Sequence, residues 1–386
     1  MRDFSKTKRV VIKIGTNTLT KPGAIEPDAK FIKNIAKQIV ALREKGIQIV
    51  IVTSGAIGMG IGQRGIIQAN KSSLISTSGI GTGDLHTVTD IPVRQACAAI
   101  GQPMLMAEYR KAFDRFGVAV AQVLLTAEVL NNRKTYLNLR NSIETLLKLG
   151  VVPILNENDS ISTAEIGTAF GDNDRLSALV ASKIDADLLI MLSDIDSLYD
   201  KDPKKYPGAK PIETVFEITE DILKSAGGKG SKFSAGGMKT KIEAAKVASN
   251  AGCRIVLADG RSKNVIERII AGEIIGTVFM PKRKLSNRAR WILNSTATGV
   301  INIDEGAMKA VKSRKSLLPS GIKSVQGTFN AGDVIRLNDK AKAVTNFSSA
   351  ELESLAGKHT SEIRKLLGTK RRDVVAIPED IVMIDY

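Results

Sequence analysis

The stretch that decides the fold is RVVIKIGTNTLT, at residues 9–20. Its first six residues are mostly apolar and β-branched, which predicts a short strand buried on both faces, as in a parallel sheet. Gly15 and the polar residues 16–18 follow directly. Because ligands bind outside the carboxyl ends of the strands in an open α/β sheet, the same stretch predicts where a binding site begins.

Five more short apolar runs alternate with helical patterns over the first 280 residues or so. They are IQIVIV at 47–52, VAVAQVLL at 118–125, VVPIL at 151–155, LLIML at 188–192 and RIVLA at 254–258. Apolar residues from Phe31 to Leu42 recur at helical spacing, and Gly46 is a natural helix end. This alternation predicts a doubly wound α/β sandwich.

The chain changes character near residues 280–290. Short apolar runs separated by turn residues, such as GVINIDEGAM at 299–308 and GIKSVQGTFNAGDVIRL at 321–337, predict a small, mainly β domain. We therefore expect two domains, over residues 1–281 and 285–386. The sequence identifies no role for a segment rich in Ser, Thr and Gly around residues 67–91.

The composition excludes several classes of protein. With 43% hydrophobic and 25% charged residues among 386, the chain is typical of a globular protein and not of a disordered one. No apolar run approaches the roughly 18 residues of a membrane span or the roughly 7–15 of a signal peptide. Cys97 and Cys253 lie far apart, as expected of reduced thiols. We expect a cytoplasmic protein without a membrane partner.

The charged residues point to an anionic partner. The formal net charge is +16, and residues 282–386 contain 19 Lys and Arg against 11 Asp and Glu. This surplus indicates nucleotide phosphates, RNA or both. Only two histidines are present, His86 and His359, which argues against a histidine-rich metal centre or a Ser-His-Asp triad. Lysine, aspartate, asparagine and backbone amides must carry any chemistry.

Small and polar residues follow four of the predicted strands. They are GTNT at 15–18, TSGAIG at 53–58, NEND at 156–159 and Ser193-Asp194. Any one of them could be a plain turn. Four on one edge of a parallel sheet indicate a ligand site.

Lys13 lies inside the first predicted strand, where a charge is expensive to bury without an anion. One hypothesis is an edge strand from which the lysine reaches solvent. The other places its ammonium at the end of the strand, against a phosphate.

Three glycine or aspartate motifs complete the candidates. SAGGMKTK at 234–241 precedes a helical pattern, so backbone amides, the helix dipole and Lys241 could face an anion, although the spacing is not that of a P-loop. Gly60, Gly62 and Gly65 form a weak dinucleotide signature, too far from the preceding strand. Asn173 and Asp174, within GDND at 171–174, could cap a helix, orient lysines, bind Mg²⁺ through a nucleotide or hold an ammonium group.

In this order, the segments resemble the amino acid kinase family, and within it the branch that phosphorylates glutamate. The residues that carry the resemblance are VVIKIGTNTLT, IVIVTSGAIGMG, VPILNENDSISTAEI, FGDNDRLSALVA, MLSDIDSLYDKDP and SAGGMKTKIEAAKVA. The tail, with DEGAMKAV and SLLPSGIKSVQGTFNAGDVIRL, resembles a PUA domain. The resemblance spans nearly the whole chain and implies an αβα sandwich with a mainly parallel sheet, followed by the PUA-like domain.

The resemblance implies ATP- and Mg²⁺-dependent phosphorylation of the γ-carboxylate of L-glutamate to L-glutamyl 5-phosphate, the first step of proline synthesis. It implies that Lys13 and Lys241 flank the transferred group, that Asp174 organises them, and that Ser54, Asp159 and Asn173 hold glutamate. No metal-ligating side chains are implied. The residues implied to contact ATP are Lys13, Ser193, Asp194, Ala235, Gly236, Gly237, Met238, Lys239, Thr240 and Lys241.

The resemblance also implies feedback inhibition by proline, a homo-oligomer and a downstream glutamyl-phosphate reductase. Position 235 is alanine where the family commonly has threonine, so one hydroxyl contact with ATP is in doubt. Two alternatives stay open. One is another small-molecule kinase of the family, and the other is an RNA-binding protein acting through the tail.

Overall fold

The computed structural model describes residues 2–21, 26–62, 91–162, 173–203, 205–225, 237–281, 285–358 and 373–384. The positions of residues 67–90 of the Ser/Thr/Gly-rich segment, of Gly65, and of Ala235 and Gly236 fall outside these ranges. The chain divides into two compact units, Met1–Lys284 and Leu285–Tyr386. No helix in the described ranges has both the length and the apolar character needed to cross a bilayer.

The first unit is built on an eight-stranded sheet. Its strands are β1 (Arg9–Ile14), β2 (Gln48–Thr53), β3 (Val120–Leu125), β4 (Val152–Glu157), β5 (Leu188–Ser193), β8 (Thr214–Val215), β9 (Arg254–Asp259) and β10 (Thr277–Phe279), and β6 (Leu198–Tyr199) and β7 (Pro211–Ile212) form a separate ribbon. The strands lie in the order β3-β4-β2-β1-β5-β9-β10-β8. The first six in this order are parallel, and β10 runs antiparallel to β9.

Helices cover both faces of this sheet. They are α1 (Thr16–Leu19), α2 (Ala29–Glu44), α3 (Ala56–Ile61), α4 (Ile91–Asp114), α5 (Ala127–Asn131), α6 (Arg133–Lys148), α7 (Asp174–Lys183), α8 (Glu220–Ser225), α9 (Met238–Ser249) and α10 (Val265–Ile270). One apolar core joins the sheet to α2, α4 and α10, and a second joins the opposite face to α6, α7 and α9. The predicted α/β sandwich with a mainly parallel sheet is confirmed.

Strand β1 lies at the centre of the sheet. It pairs with β2 on one side and β5 on the other, so that Lys13 lies level with Val52 and Met191. The Lys13 side chain is 1% exposed. The hypothesis that Lys13 reaches solvent from an edge strand is therefore wrong.

Glycines bring helices α3 and α4 into backbone contact. A Cβ atom added to Gly60 would lie 1.9 Å from the carbonyl oxygen of Cys97, and one added to Gly101 would lie 1.8 Å from that of Ala56. Gly60 therefore serves helix packing, and its place within α3 is not that of a dinucleotide-binding turn. This contact holds α3, and the loop that precedes it, against α4.

The second unit has a sheet and an apolar core of its own. Its described elements are α11 (Asn287–Asn294), β11 (Gly299–Ile303), α12 (Glu305–Lys312), β12 (Ile322–Gln326), β13 (Val334–Leu337), β14 (Ala341–Val344), α13 (Ser349–Leu355) and β15 (Ile381–Met383). The sheet order is β12-β11-β13-β14-β15, and the core includes Ile301, Ile335 and Phe347. The sequence pattern did not predict the three helices found in the described part of this unit.

Candidate active site

The polar residues that follow the parallel strands meet at one edge of the sheet. Ile14, the last residue of β1, lies level with Thr53 and with Leu192 on the two neighbouring strands. On the next strand beyond β2, Leu155 lies level with Val52. The loops after β1, β2, β4 and β5 therefore begin side by side, as expected for parallel strands.

A buried cluster of two lysines and one aspartate lies beside this edge. Lys13 Nζ is 2.7 Å from Asp174 Oδ1, and Lys241 Nζ is 3.1 Å from Asp174 Oδ2. The three side chains are between 0 and 3% exposed. Thr240 donates from its hydroxyl to the same Oδ2 at 3.0 Å. Two positive charges thus converge on one carboxylate in a place from which water is excluded.

Three elements bring these charges together. Alternate residues of a strand share a face, so Lys13 projects on the same side of the sheet as Val11. Val11 belongs to the apolar core that also contains residues of α7 and α9. Asp174 is the first residue of α7, where the helix dipole favours a negative charge. Lys241 lies in the first turn of α9, directly after Thr240.

The Asp174 carboxyl group is held ionised. Burial alone would raise its pKa, but the charges of Lys13 and Lys241, and their hydrogen bonds, outweigh burial and lower the pKa below its ordinary value. The cluster can therefore present two oriented ammonium groups without neutralising either of them by proton transfer.

Next to the cluster, Asn173 joins the ends of two strands. Its Nδ2 donates to the carbonyl oxygen of Thr53, to Ser54 Oγ at 3.2 Å and to Asn156 Oδ1 at 2.7 Å. Asn173 immediately precedes α7, yet its side chain accepts no capping hydrogen bond from that helix. Asn173 thus occupies the N-cap position of α7, but its side chain does not cap this helix.

Two carboxyl groups lie at the end of β4: Glu157 is its last residue and Asp159 follows it. Burial raises the pKa of Asp159 to about 6, against the opposing charge of Arg94. Burial, together with the charge of Asp159, raises the pKa of Glu157 to about 7, although Ser162 donates to Glu157 from its hydroxyl at 3.3 Å. These groups would gain from a cationic partner, because a nearby positive charge favours the ionised carboxylates.

Ser193 is the last residue of β5, and Asp194 follows it. Ser193 donates to Asp194 Oδ1 at 3.0 Å, and the amide of Asn17 donates to Asp194 Oδ2 at 3.0 Å. Burial opposes ionisation of Asp194, but these hydrogen bonds and the charge of Lys241 lower its pKa. Asp194 therefore lies between the loop after β1 and the lysine cluster.

Helix α9 begins directly after Gly237, which precedes it in an extended conformation and has no side chain to cap the first turn. Such a helix start can receive an anion. Lys239 differs from its neighbours, because its side chain is 74% exposed and lies 4.0 Å from Glu243.

Comparisons with known proteins identify the family of the chain. The amino acid kinase family matches residues 8–259, and the PUA domain matches residues 299–367. The glutamate 5-kinase of Methanosarcina mazei is 45% identical over 99% of this chain and 97% of that protein. The chain belongs to the glutamate 5-kinases of the amino acid kinase family. The glutamate 5-kinase of Caldanaerobacter subterraneus subsp. tengcongensis is 43% identical, over 98% of each chain.

A solved structure supports the fold of this glutamate 5-kinase family member. Carbamate kinase from Giardia lamblia, bound to AMP-PNP, superimposes with a TM-score of 0.50 and 18% identity. The match covers 72% of this chain and 100% of the carbamate kinase. At this identity the likeness concerns the fold alone.

The structure brings together most of the residues singled out from the sequence. Lys13, Asp174 and Lys241 share one cluster, and Asn173 contacts Ser54. Asp159 interacts electrostatically with Glu157, the neighbour of Asn156, and Asn156 accepts a hydrogen bond from Asn173.

Sequence reasoning missed Gln102 of this glutamate 5-kinase family member. It named Asn17 and Asn156 only within the motifs GTNT and NEND and assigned neither of them a role of its own. Asn17 follows β1, and Asn156 is the next-to-last residue of β4, so their positions near strand ends were the signal that singled out their motifs. Gln102 lies on α4, where its side-chain oxygen accepts a hydrogen bond from the Asn156 amide at 2.8 Å. No local pattern distinguishes it from other polar residues of a helix.

Proposed function

We propose that this protein transfers the γ-phosphoryl group of ATP to the γ-carboxylate of L-glutamate, forming L-glutamyl 5-phosphate at the start of proline synthesis. The observation that carries the proposal is the buried Lys13–Asp174–Lys241 cluster at the carboxyl edge of the sheet. Membership of the glutamate 5-kinases supports the choice of substrate.

The nucleophile needs no general base. The γ-carboxyl group of glutamate has a pKa of about 4.3, so it is already an anion at neutral pH. What the protein must supply is alignment of the reactants and stabilisation of charge on the transferred group. Lysines and backbone amides do this, and no histidine is required.

Each member of the cluster has a distinct role in this mechanism. Lys13 and Lys241 place their ammonium groups on the two sides of Asp174, from which they flank the transferred phosphoryl group. Asp174 offsets their mutual repulsion and fixes both positions. Because the cluster is assembled before the reaction, it stabilises the transition state without reorganisation.

The residues that bind ATP in this proposal lie at the carboxyl end of β5 and at the start of α9. They are Ser193, Asp194 and Gly237 to Lys241, together with Lys13 and, by family resemblance, Ala235 and Gly236. We place the exposed side chain of Lys239 at the outer margin of this site.

Mg²⁺ enters with the nucleotide. The described ranges contain no group of three or more carboxylate, histidine or cysteine side chains able to hold a metal. Mg²⁺ commonly binds through substrate phosphates and few protein ligands, which fits this site. When bound, it neutralises charge on the phosphates.

The glutamate site lies on the other side of the cluster. Ser54 and Asn173 offer polar groups beside the transferred phosphoryl group, and Asp159 offers a carboxylate for the α-ammonium group. Proline has both a ring nitrogen that carries a positive charge and an α-carboxylate, so the same residues give it a site for feedback inhibition.

Glutamate binding is expected to weaken as the pH falls from 8 to 6. The carboxyl groups of Asp159 and Glu157 have pKa values raised to about 6 and about 7, so both are ionised at pH 8 and progressively protonated below it. Only the ionised forms attract the ammonium group. The KM for glutamate should therefore rise on acidification, which steady-state kinetics at saturating ATP would measure.

The Asp159→Asn variant is the control for this pH profile. It should have a raised glutamate KM at pH 8, with kcat much less affected, because ground state and transition state lose the same contact. Its KM should also depend less on pH. An unchanged glutamate KM in this variant would contradict the role of Asp159.

The remaining partners follow from the product and the family. An acyl phosphate is labile, so we propose a reductase that consumes it, glutamyl-phosphate reductase, as the next enzyme. We also propose a homo-oligomer, as the family resemblance implies.

We propose that catalysis resides in residues 1–281 and that residues 285–386 form a separate PUA-like domain. Each of the two compact units has its own apolar core, which supports the division. A chain that ends at Pro281 is expected to fold and to phosphorylate glutamate, with altered regulation. Circular dichroism and ADP release measure these outcomes, and a folded but inactive shortened chain would refute the division.

The basic tail favours a second candidate function, RNA binding. Removal of residues 282–386 removes 19 basic and 11 acidic residues. If the tail binds RNA, affinity should fall with added salt and should be lost in the shortened chain. Undiminished binding by the shortened chain would assign the basic site to the kinase domain.

The proposed activity is tested by ADP release with glutamate, aspartate, acetylglutamate or carbamate as acceptor, with hydroxylamine present to trap an acyl phosphate. We expect release and hydroxamate formation with glutamate. A preference for another acceptor would indicate a different small-molecule kinase of the family. Salt-dependent RNA binding without any of these activities would favour the second candidate.

A further inference from the structure

We propose that Gln102 is a positioning residue of the glutamate site, whose side-chain oxygen holds Asn156 and, through it, Asn173. This inference rests on the proposed function, in which Asn173 holds glutamate. Gln102 lies on α4, outside the motifs that identified the site.

Three side-chain amides form a chain of hydrogen bonds. Asn173 Nδ2 donates to Asn156 Oδ1 at 2.7 Å, and Asn156 Nδ2 donates to Gln102 Oε1 at 2.8 Å. Their exposures are 8%, 2% and 8% for Asn173, Asn156 and Gln102. Buried amides need partners, so each of the three restrains the next.

Neighbouring backbone groups fix which atom of each side-chain amide is the nitrogen and which is the oxygen. The carbonyl oxygen of Thr53 can only accept, so the atom of Asn173 that faces it is the nitrogen. The N–H of Glu157 can only donate, and it does so to Asn156 Oδ1 at 2.9 Å. Asn156 therefore turns its nitrogen toward Gln102, which must present its oxygen.

These hydrogen bonds use the nitrogen of the Asn173 side chain and leave its oxygen for a ligand. Its nitrogen serves Thr53, Ser54 and Asn156, whereas its Oδ1 accepts no hydrogen bond from the residues that the structure describes. An amide oxygen is a suitable acceptor for the ammonium group of glutamate. The position of this oxygen depends on Asn156, and that of Asn156 depends on Gln102.

The nitrogen of the Gln102 side-chain amide, unlike its oxygen, holds none of the described neighbouring residues in place. Its Nε2 is buried and has no hydrogen-bond partner within the described ranges. An unpartnered buried donor lowers stability. A methionine would fill a similar volume without this penalty, so what glutamine offers here is its oxygen.

The test compares Gln102→Met, which removes the oxygen, with Gln102→Glu, which retains one. Gln102→Met is expected to raise the glutamate KM by about tenfold, the effect of one lost buried hydrogen bond, with the ATP KM unchanged and kcat within about threefold. Gln102→Glu should restore the KM to near the wild-type value. Gln122→Met, at an exposed position of β3, is the matched control and should leave KM unchanged.

A double variant tests the route through Asn156. If Gln102 acts through Asn156, adding Gln102→Met to Asn156→Ala should raise the glutamate KM no further, whereas independent roles would multiply the two effects. Multiplied effects, an unchanged KM in Gln102→Met, or failure of that variant to fold would overturn the proposal. A wild-type chain inactive on glutamate would instead overturn the proposed function.

Discussion

Replacing Lys241 by alanine is expected to lower kcat by about two to three orders of magnitude, the usual effect of losing one preorganised group that stabilises transition-state charge. The side chain is 3% exposed and lies 3.1 Å from Asp174. Its charge matters most as the phosphoryl group moves, so the glutamate KM should change much less. Steady-state kinetics with both substrates varied would measure the two parameters separately.

Lys239→Ala provides the matched control for Lys241→Ala. Lys239 lies on the same helix, two residues earlier, but its side chain is 74% exposed. We expect kcat within about threefold of the wild-type value for this variant, since an exposed charge is screened by solvent. Any effect of Lys239, at the outer margin of the ATP site, should appear in the KM for ATP instead. A change of less than threefold in Lys241→Ala itself would contradict the assignment of Lys241.

Asp174→Asn is expected to affect both catalysis and stability. The substitution leaves Lys13 and Lys241 buried side by side without the carboxylate between them, and breaking a buried pair in this way costs about 3–5 kcal/mol. The free energy of unfolding should fall accordingly. The kcat should fall by about two orders of magnitude or more, because both ammonium groups lose their fixed positions.

Asp185→Asn, beyond the other end of α7, is the control. Asp185 lies 2.9 Å from Arg140, and both side chains are 26% exposed. Partly exposed ion pairs contribute about 0–1 kcal/mol, so urea unfolding should detect little change. If Asp174→Asn retained the wild-type kcat and unfolding midpoint, the cluster would have neither of the roles given to it.

The sheet could be predicted from the sequence because strands buried on both faces leave a clear apolar pattern. The run at residues 188–192, for example, lies within β5, which extends only one residue further, to Ser193. The helices of the second unit were missed because they are short. Helix α12, for example, spans the eight residues Glu305–Lys312, among turn-forming residues.

The site could be predicted only in part. Lys13 was identifiable from its own strand, since a lysine among Val and Ile needs an explanation. Its pairing with Asp174 required the family resemblance, because the two residues are far apart in the chain. Lys239 and Lys241 are two positions apart on a helix and so project about 200° from one another, but the sequence alone does not say which of them faces the core.

Oxygen transfer from glutamate to phosphate tests the central claim most directly. L-Glutamate labelled with ¹⁸O at both oxygens of its γ-carboxylate would be incubated with ATP, Mg²⁺, hydroxylamine and the full chain. Attack of the carboxylate on phosphorus places one labelled oxygen in the bridge of the acyl phosphate, and hydroxylamine then releases that oxygen with the phosphate. The account predicts one ¹⁸O atom in each phosphate formed, in amounts equal to the ADP released. Unlabelled phosphate in those amounts would show that water is the acceptor, and would contradict the account.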